Sequence, residues 1–353
     1  MNELENSILK IKQGSSLEEL TKIKRDIFSS TNFKSLLCHT THIFDCYARL
    51  SRIHDQFMKK ALYLAQLRVL QERIGIPPER FCWVTMGSGG RQEQTIGTDQ
   101  DNGIIYIVGT EEDPEQVLSF IQRFAELGVD YLNQIGYPVC KGNVMATNPR
   151  WQKSIEGWMQ MITSIGDDES MEDIRFIHIA ADFRTIYGDE RLGKELRDWM
   201  RQSIQQNYFL LERVAGYSLH YEIPMGVFGQ MFTVRWGEHA GKFDLKYGAY
   251  VPWVNIIRWF AFLMGIRETT TKDRMSRLLE SRMISKGEYD ALSRAFSMIL
   301  TLRFDYPDYY LDLSKVSKQE RTELKRALKQ LKKLRRKMIV IMKNHRRGGV
   351  HFE

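Results

Sequence analysis

The sequence predicts an α+β protein, predominantly helical, in which a small mixed sheet lies between an N-terminal helical arm and a larger C-terminal helical domain. Three observations predict it. Apolar residues recur at helical spacing before residue 75 and again after residue 148. Between these stretches stand two short β-rich runs, Phe81-Cys82-Trp83-Val84-Thr85-Met86 and Gly103-Ile104-Ile105-Tyr106-Ile107-Val108. The breaker Gly75-Ile76-Pro77-Pro78 divides the first helical texture from the first run.

The arm covers residues 1–75. Leu17, Leu20, Ile23 and Ile27, then Leu62, Leu64, Leu67 and Leu70, mark its helices, and Ser15-Ser16-Leu17-Glu18 offers a serine cap. The core covers residues 76–150. Its first run ends in Gly87-Ser88-Gly89-Gly90, a turn that brings backbone close to a ligand. Asp113-Pro114-Glu115 opens a helix through about residue 135, with proline in its first turn. A third strand is expected over residues 142–147. Three strands and one long helix do not make a doubly wound sheet. Residues 151–353 form the C-terminal domain, with Asn148-Pro149 as a helix start. Ile174, Ile177, Ile179 and Ala181 lie on a helix ending near Gly188. Residues 251–264 are apolar enough to be buried, and 269–282, 286–304 and 318–342 read as further helices.

A chain of 353 residues suggests about two domains and buries roughly 75% of its unfolded surface, so it needs no disulfide or metal staple. No run of 18 apolar residues exists, and the first residues are polar and acidic, so neither a membrane span nor a signal peptide is expected. The 4 cysteines form no CxxC pair, which fits free thiols in a reducing cytoplasm. Cys140 reads as a small buried hydrophobe. Cys38-His39, His42 and His54 lack a second Cys/His pair, so packing or surface roles are expected rather than a metal site.

The net charge is +7, but residues 315–347 hold 14 Lys/Arg against Glu320 and Glu323, leaving the rest of the chain at −5. Leu324, Leu328, Leu331, Leu334, Met338 and Ile341 form one stripe through that basic segment. The stripe predicts a helix docked on its own domain with Lys and Arg facing water. Nucleic acid and membrane are therefore not the expected partners; a homo-oligomer is compatible with the sequence.

The chemistry concentrates in Gly87-Ser88-Gly89-Gly90-Arg91-Gln92-Glu93-Gln94-Thr95-Ile96-Gly97-Thr98-Asp99-Gln100-Asp101-Asn102. A strand leads into Gly-Ser, ten residues follow, and Asp-x-Asp leads into an apolar strand. Gly87 and Gly89 let the backbone approach phosphate, Ser88 adds a hydroxyl, and the next residues should open a helix whose N–H groups suit a triphosphate. Asp99 and Asp101 are two apart at a strand start, so they share one face and make a hard oxygen site for Mg²⁺, with Mn²⁺ as the alternative ion. The forked guanidinium of Arg91 suits phosphate oxygens. Neither GxxxxGK[ST] nor GxGxxG with its later acid is present.

This string resembles the nucleotidyltransferase motif of the DNA polymerase beta-like superfamily. More narrowly, it is similar to nucleotidyltransferases related to the N-terminal domain of the PII-protein uridylyltransferase. Gly75-Ile76-Pro77-Pro78, Tyr137-Pro138-Val139-Cys140-Lys141-Gly142-Asn143-Val144-Met145-Ala146 and Asn148-Pro149-Arg150-Trp151 carry the likeness onward. Asp182-Phe183-Arg184, Tyr187-Gly188 and Asp244-Leu245-Lys246 extend it into the group's C-terminal helical, substrate-binding domain. The resemblance implies Mg²⁺-dependent transfer of a nucleoside monophosphate from a nucleoside triphosphate to a protein or small-molecule acceptor. It implies that Gly87 and Ser88 contact phosphate and that Asp99 and Asp101 bind metal.

The superfamily usually supplies a third carboxylate from a later strand, and residues 139–148 contain no acid. Glu93 and Asp182 are the candidates to replace it. The alternative is a catalytically weak or inactive nucleotide-sensing regulator acting through a protein partner. Lys246 is expected either at the nucleotide or in a surface ion pair. Asp182 and Arg184 read better as a structural pair than as site residues.

Overall fold

A computed structural model describes residues 3–30, 33, 37, 42–165 and 171–346. Contacts gather into two compact units, Met1–Asp167 with Ile179–Met200, and Asp168–His178 with Arg201–Glu353.

The chain opens with α1 (Glu3–Gln13), α2 (Leu17–Ser29) and the long α3 (Ile43–Glu72). The Ser16 hydroxyl caps α2 by accepting the Glu19 N–H at 3.2 Å. Then come β1 (Arg80–Thr85), the single turn α4 (Gly87–Gly90), β2 (Asn102–Ile107) and α5 (Pro114–Gln134). After these follow β3 (Gln152–Ser154), α6 (Ile155–Ser164), α7 (Met171–Ala180), β4 (Arg184–Gly188) and α8 (Glu190–Gln206).

The four strands form one mixed sheet in the order β3-β2-β1-β4. β1 is central and antiparallel to both neighbours, pairing Thr85 with Asn102 of β2 and with Arg184 of β4. That register puts the C-terminal end of β1, the start of β2 and the start of β4 side by side. β3 runs parallel to β2. Helix α5 supports the sheet through aromatic edges: Phe124 meets Phe81 at 5.5 Å and Trp83 at 5.6 Å between ring centroids. Val84, Ile104, Ile105, Phe120 and Phe124 are fully buried there.

The second unit contains α9 (Tyr208–His220), β5 (Phe243–Asp244), a π-helical turn (Lys246–Tyr250), α10 (Val251–Leu263), α11 (Thr271–Glu280), α12 (Lys286–Asp305), β6 (Tyr310–Leu311) and α13 (Lys318–Arg346). Every residue of α10 from Pro252 to Leu263 is buried, as its apolar composition predicts. On α13, Leu324, Leu328, Leu331, Leu334 and Met338 are buried while Lys325, Lys329 and Lys333 are exposed. The predicted stripe thus faces the unit's interior.

Three expectations about local structure are corrected. Residues 142–147 form turns, not a strand. Asn143 adopts a left-handed conformation (φ 53°), and its carbonyl accepts the Asn148 side-chain N–H at 3.0 Å. Asn148-Pro149 does not start a helix either: Asn148 Oδ1 accepts the Arg150 N–H, a side-chain-capped turn, and the helix begins at Ile155 under a Ser154 cap. The helix expected to reach Gly188 stops at Ala180, and Arg184–Gly188 becomes a fourth strand because the open edge of β1 offers it a ladder.

Candidate functional site

The β1–β2 connection holds the predicted site. At its origin the Met86 N–H donates to the Asp101 carbonyl at 2.8 Å, and the Thr85 hydroxyl donates to the same oxygen at 3.2 Å. The chain therefore leaves β1 and returns to β2 at one point. The turn between is tight: Gly90 N–H reaches Met86 O at 3.0 Å, and Glu93 N–H reaches Ser88 O at 2.8 Å. Gly87 sits at φ +54°, and a Cβ there would lie 2.5 Å from Oδ2 of Asp101. Only glycine lets the Asp101 carboxylate rest against this backbone.

Helix α4 is one turn long, contrary to the expectation of a helix opening after Ser88. A single turn brings no long helix dipole. What it offers is the half-buried Gly87 and the half-buried hydroxyl residue Ser88. Gly89 is buried behind them, its carbonyl accepting Arg184 Nε at 3.0 Å.

The Asp-x-Asp segment alternates. Asp99 is exposed, Gln100 buried, Asp101 half-buried and Asn102 buried. The two acids thus turn away from the core while the two amides turn into it, as a period of two requires. Gln100 Nε2 donates to the Val129 and Tyr137 carbonyls at 3.0 and 2.9 Å. Its Oε1 accepts Asn102 Nδ2 at 3.0 Å, and Asn102 Oδ1 accepts the Ala146 N–H at 2.8 Å. Sequence reasoning passed over Gln100 and Asn102. The signal was the alternation itself, since outward acids at 99 and 101 leave inward polar groups at 100 and 102. These amides pin residues 137–146 alongside Asp101.

That arrangement sets Cys140 beside Asp101. Burial, then the nearby Asp101 carboxylate, push its thiol up to about 11, so it stays protonated and donates to that carboxylate. Cys140 is half-buried and polar in role, not the buried hydrophobe expected.

Arg91 departs from its predicted role. Its side chain is buried; Nε donates to Glu93 Oε2 at 2.9 Å and Nη1 to Asp182 Oδ2 at 2.6 Å. A guanidinium already bound by two buried carboxylates is not a phosphate fork. The same triad removes Glu93 and Asp182 from the third-acid role, because both are turned inward onto Arg91. Asp182 and Arg184 do not pair with one another. Arg184 makes a two-pronged bridge to Asp55 at 2.8 and 2.6 Å, an arrangement the shared plane of the two groups favours.

Behind the loop, His54 is fully buried between Tyr137 Oη at 2.8 Å and the Thr95 carbonyl at 3.1 Å. Burial, then the charge of Lys24, lower its pKa to about 3, so the ring is neutral and structural. Lys24 Nζ donates to the Gly136 carbonyl at 2.6 Å and lies 3.4 Å from the Tyr137 ring centroid. Cys38 and His39 lie outside the described residues. Among the described residues no group of three or more His, Cys, Asp or Glu could hold a metal ion. In the second unit, Lys246 is exposed, its Nζ 5.3 and 5.7 Å from the Tyr247 and Tyr309 ring centroids.

Asp99 and Asp101 fit a Mg²⁺ ion held by one or two carboxylates, with water and phosphate completing its shell. Residues 30–172 match the family described as "Putative nucleotidyltransferase DUF294", and residues 209–339 match its companion, "Putative nucleotidyltransferase substrate binding domain". The chain belongs to this nucleotidyltransferase family. The first match spans both the glycine turn and the Asp pair, and nucleotidyl transfer is the general function it supports. For this nucleotidyltransferase-family protein, Asp182 and Arg184 lie between the two matched regions. No curated protein matches the chain. Among the described residues no helix is long and apolar enough to cross a membrane.

Proposed function

We propose that the protein is a Mg²⁺-dependent nucleotidyltransferase that moves a nucleoside monophosphate from a triphosphate to an acceptor, as the likeness to the PII-protein uridylyltransferase implies. The observation that carries this reading is the seat of the Asp101 carboxylate against Gly87. It joins the phosphate-binding turn and the acidic strand start at one point. Gly87 and Ser88 would receive phosphate oxygens through backbone N–H and hydroxyl groups, and Asp99 and Asp101 would hold the metal. The bound ion would polarise the α-phosphate and neutralise the departing pyrophosphate. An acceptor hydroxyl then bonds to the α-phosphorus, the bond to the β-phosphate oxygen breaks, and the hydroxyl proton passes to solvent. The chain's contribution is alignment and fixed charge.

Among the described residues no third acid joins the pair in a metal-holding group, which favours a second reading, a sensor that binds nucleotide without turnover. One experiment separates the two. Each α-phosphate-labelled nucleoside triphosphate is incubated with the protein, Mg²⁺ and a cell lysate as acceptor source, with Asp99→Ala/Asp101→Ala as control. Label transferred from one nucleotide and lost in the control supports the enzyme. Metal-dependent binding that the control loses, without transfer, supports the sensor. Binding that the control retains overturns both.

A further inference from the structure

The second unit contains a pocket of about 340 Å³. Its walls come from the end of α9 (His220, Tyr221) and the following Glu222, from Phe232 and its neighbours, and from Asp244 and Tyr247 at the π-helical turn. All of these lie within the region matching the substrate-binding domain. The volume is at the scale of a small-molecule site.

The lining has a specific chemistry. The Tyr221 and Tyr247 rings are parallel within 3°, with centroids 5.9 Å apart. Tyr247 is about half exposed, and so is Phe232. The π-helical turn that carries Tyr247 is a rare form, frequent at functional sites. Two carboxylates, Glu222 and Asp244, line the pocket with His220, and among the described lining residues none is Lys or Arg. Two cations stand at its edge, each with a partner of its own. Arg335 donates to the Leu219 and Tyr221 carbonyls at 2.8 and 3.1 Å, and Lys246 leans on the Tyr247 and Tyr309 rings. Carboxylates beside tyrosine faces attract an ammonium group by charge and by cation–π contact, and they repel phosphate.

We infer that this pocket binds the acceptor, and that the acceptor is a small hydroxylated molecule carrying an ammonium group, not a protein or a phosphorylated compound. The inference rests on the nucleotidyl-transfer reading above and narrows its acceptor class. The nucleotide itself, being polyanionic, belongs at the glycine turn and not here.

Titration calorimetry on the full chain tests it with a matched series: glucosamine and spermidine as ammonium probes, N-acetylglucosamine as a neutral ring, and glucosamine 6-phosphate as an anionic one. At least one ammonium probe should bind more tightly than the neutral and anionic rings, and bind more weakly as salt rises. Glu222→Gln and Asp244→Asn should each weaken that probe by about tenfold. Asp244→Asn keeps the oxygen that accepts the Tyr247 N–H at 2.9 Å, so the turn stays capped while the charge is lost. Equal binding of neutral or phosphorylated rings overturns the inference. So does failure of both ammonium probes at about 10 mM in protein that still binds nucleotide, and in that outcome the nucleotidyl-transfer reading stands. If instead the ammonium probe binds but Asp99→Ala/Asp101→Ala leaves nucleotide binding intact, the pocket stands and the nucleotide site fails.

Discussion

On one side of the β1–β2 loop, Glu93 and Asp182 are buried around Arg91; on the other, Asp99 is exposed and Asp101 half-buried beside Gly87. Both sides carry two carboxylates. The buried pair shares one guanidinium, and these contacts serve to hold the loop. The outer pair faces away from the core, where a divalent ion and phosphate can reach it. Residue type does not assign these roles. Depth and partner do, because a buried carboxylate without a counter-charge is too costly to keep.

The largest effect should come from breaking the buried side. Arg91→Met leaves two inward carboxylates unbalanced and should cost about 3–5 kcal/mol in denaturant unfolding. A loss below about 1 kcal/mol would mean the triad is not what holds the loop. Next comes the His54 contact to the Thr95 carbonyl. The folded pKa of about 3 lies below the ordinary value, so the unfolded chain binds the extra proton. Stability is then greatest above pH 6.5 and falls on acidification, by up to about 1.4 kcal/mol per pH unit. The unfolding midpoint between about pH 6.5 and 5 should drop more steeply for the native chain than for His54→Gln. Parallel curves would contradict a neutral His54. The smallest effect on folding belongs to the outer side. Asp99→Asn should shift stability by no more than about 0.5 kcal/mol. The same variant should lose nucleotide transfer about a hundredfold or more. A large folding penalty there would erase the contrast between the two sides.

Much of this was legible in the sequence, and the parts that were not share a cause. The helices and the two central strands announce themselves through local periodicity and breakers. The Gly-Ser turn and Asp-x-Asp are likewise local, and the alternation at residues 99–102 follows from strand geometry. Arg91 was misjudged because its partner Asp182 lies 91 residues away, and Glu93, two residues on, does not alone distinguish a phosphate fork from a buried bridge. β4 was missed because Arg184-Thr185-Ile186-Tyr187-Gly188 alternates weakly, and its strand character comes from the β1 edge it completes. Residues 142–147 read as a strand by composition but follow their Asn-capped turns.

Lys24 shows where the working unit starts. The family likeness begins at residue 30, yet the Lys24 ammonium, in the helix before it, lies over Tyr137 and holds the Gly136 carbonyl. Two residues on, the Pro138 carbonyl accepts the Gln100 N–H, next to Asp101. A fragment cut at the edge of the likeness would uncover the Tyr137 face and leave that carbonyl to water. The border drawn by shared ancestry and the border drawn by folding do not coincide, and any dissection of this protein should follow the second.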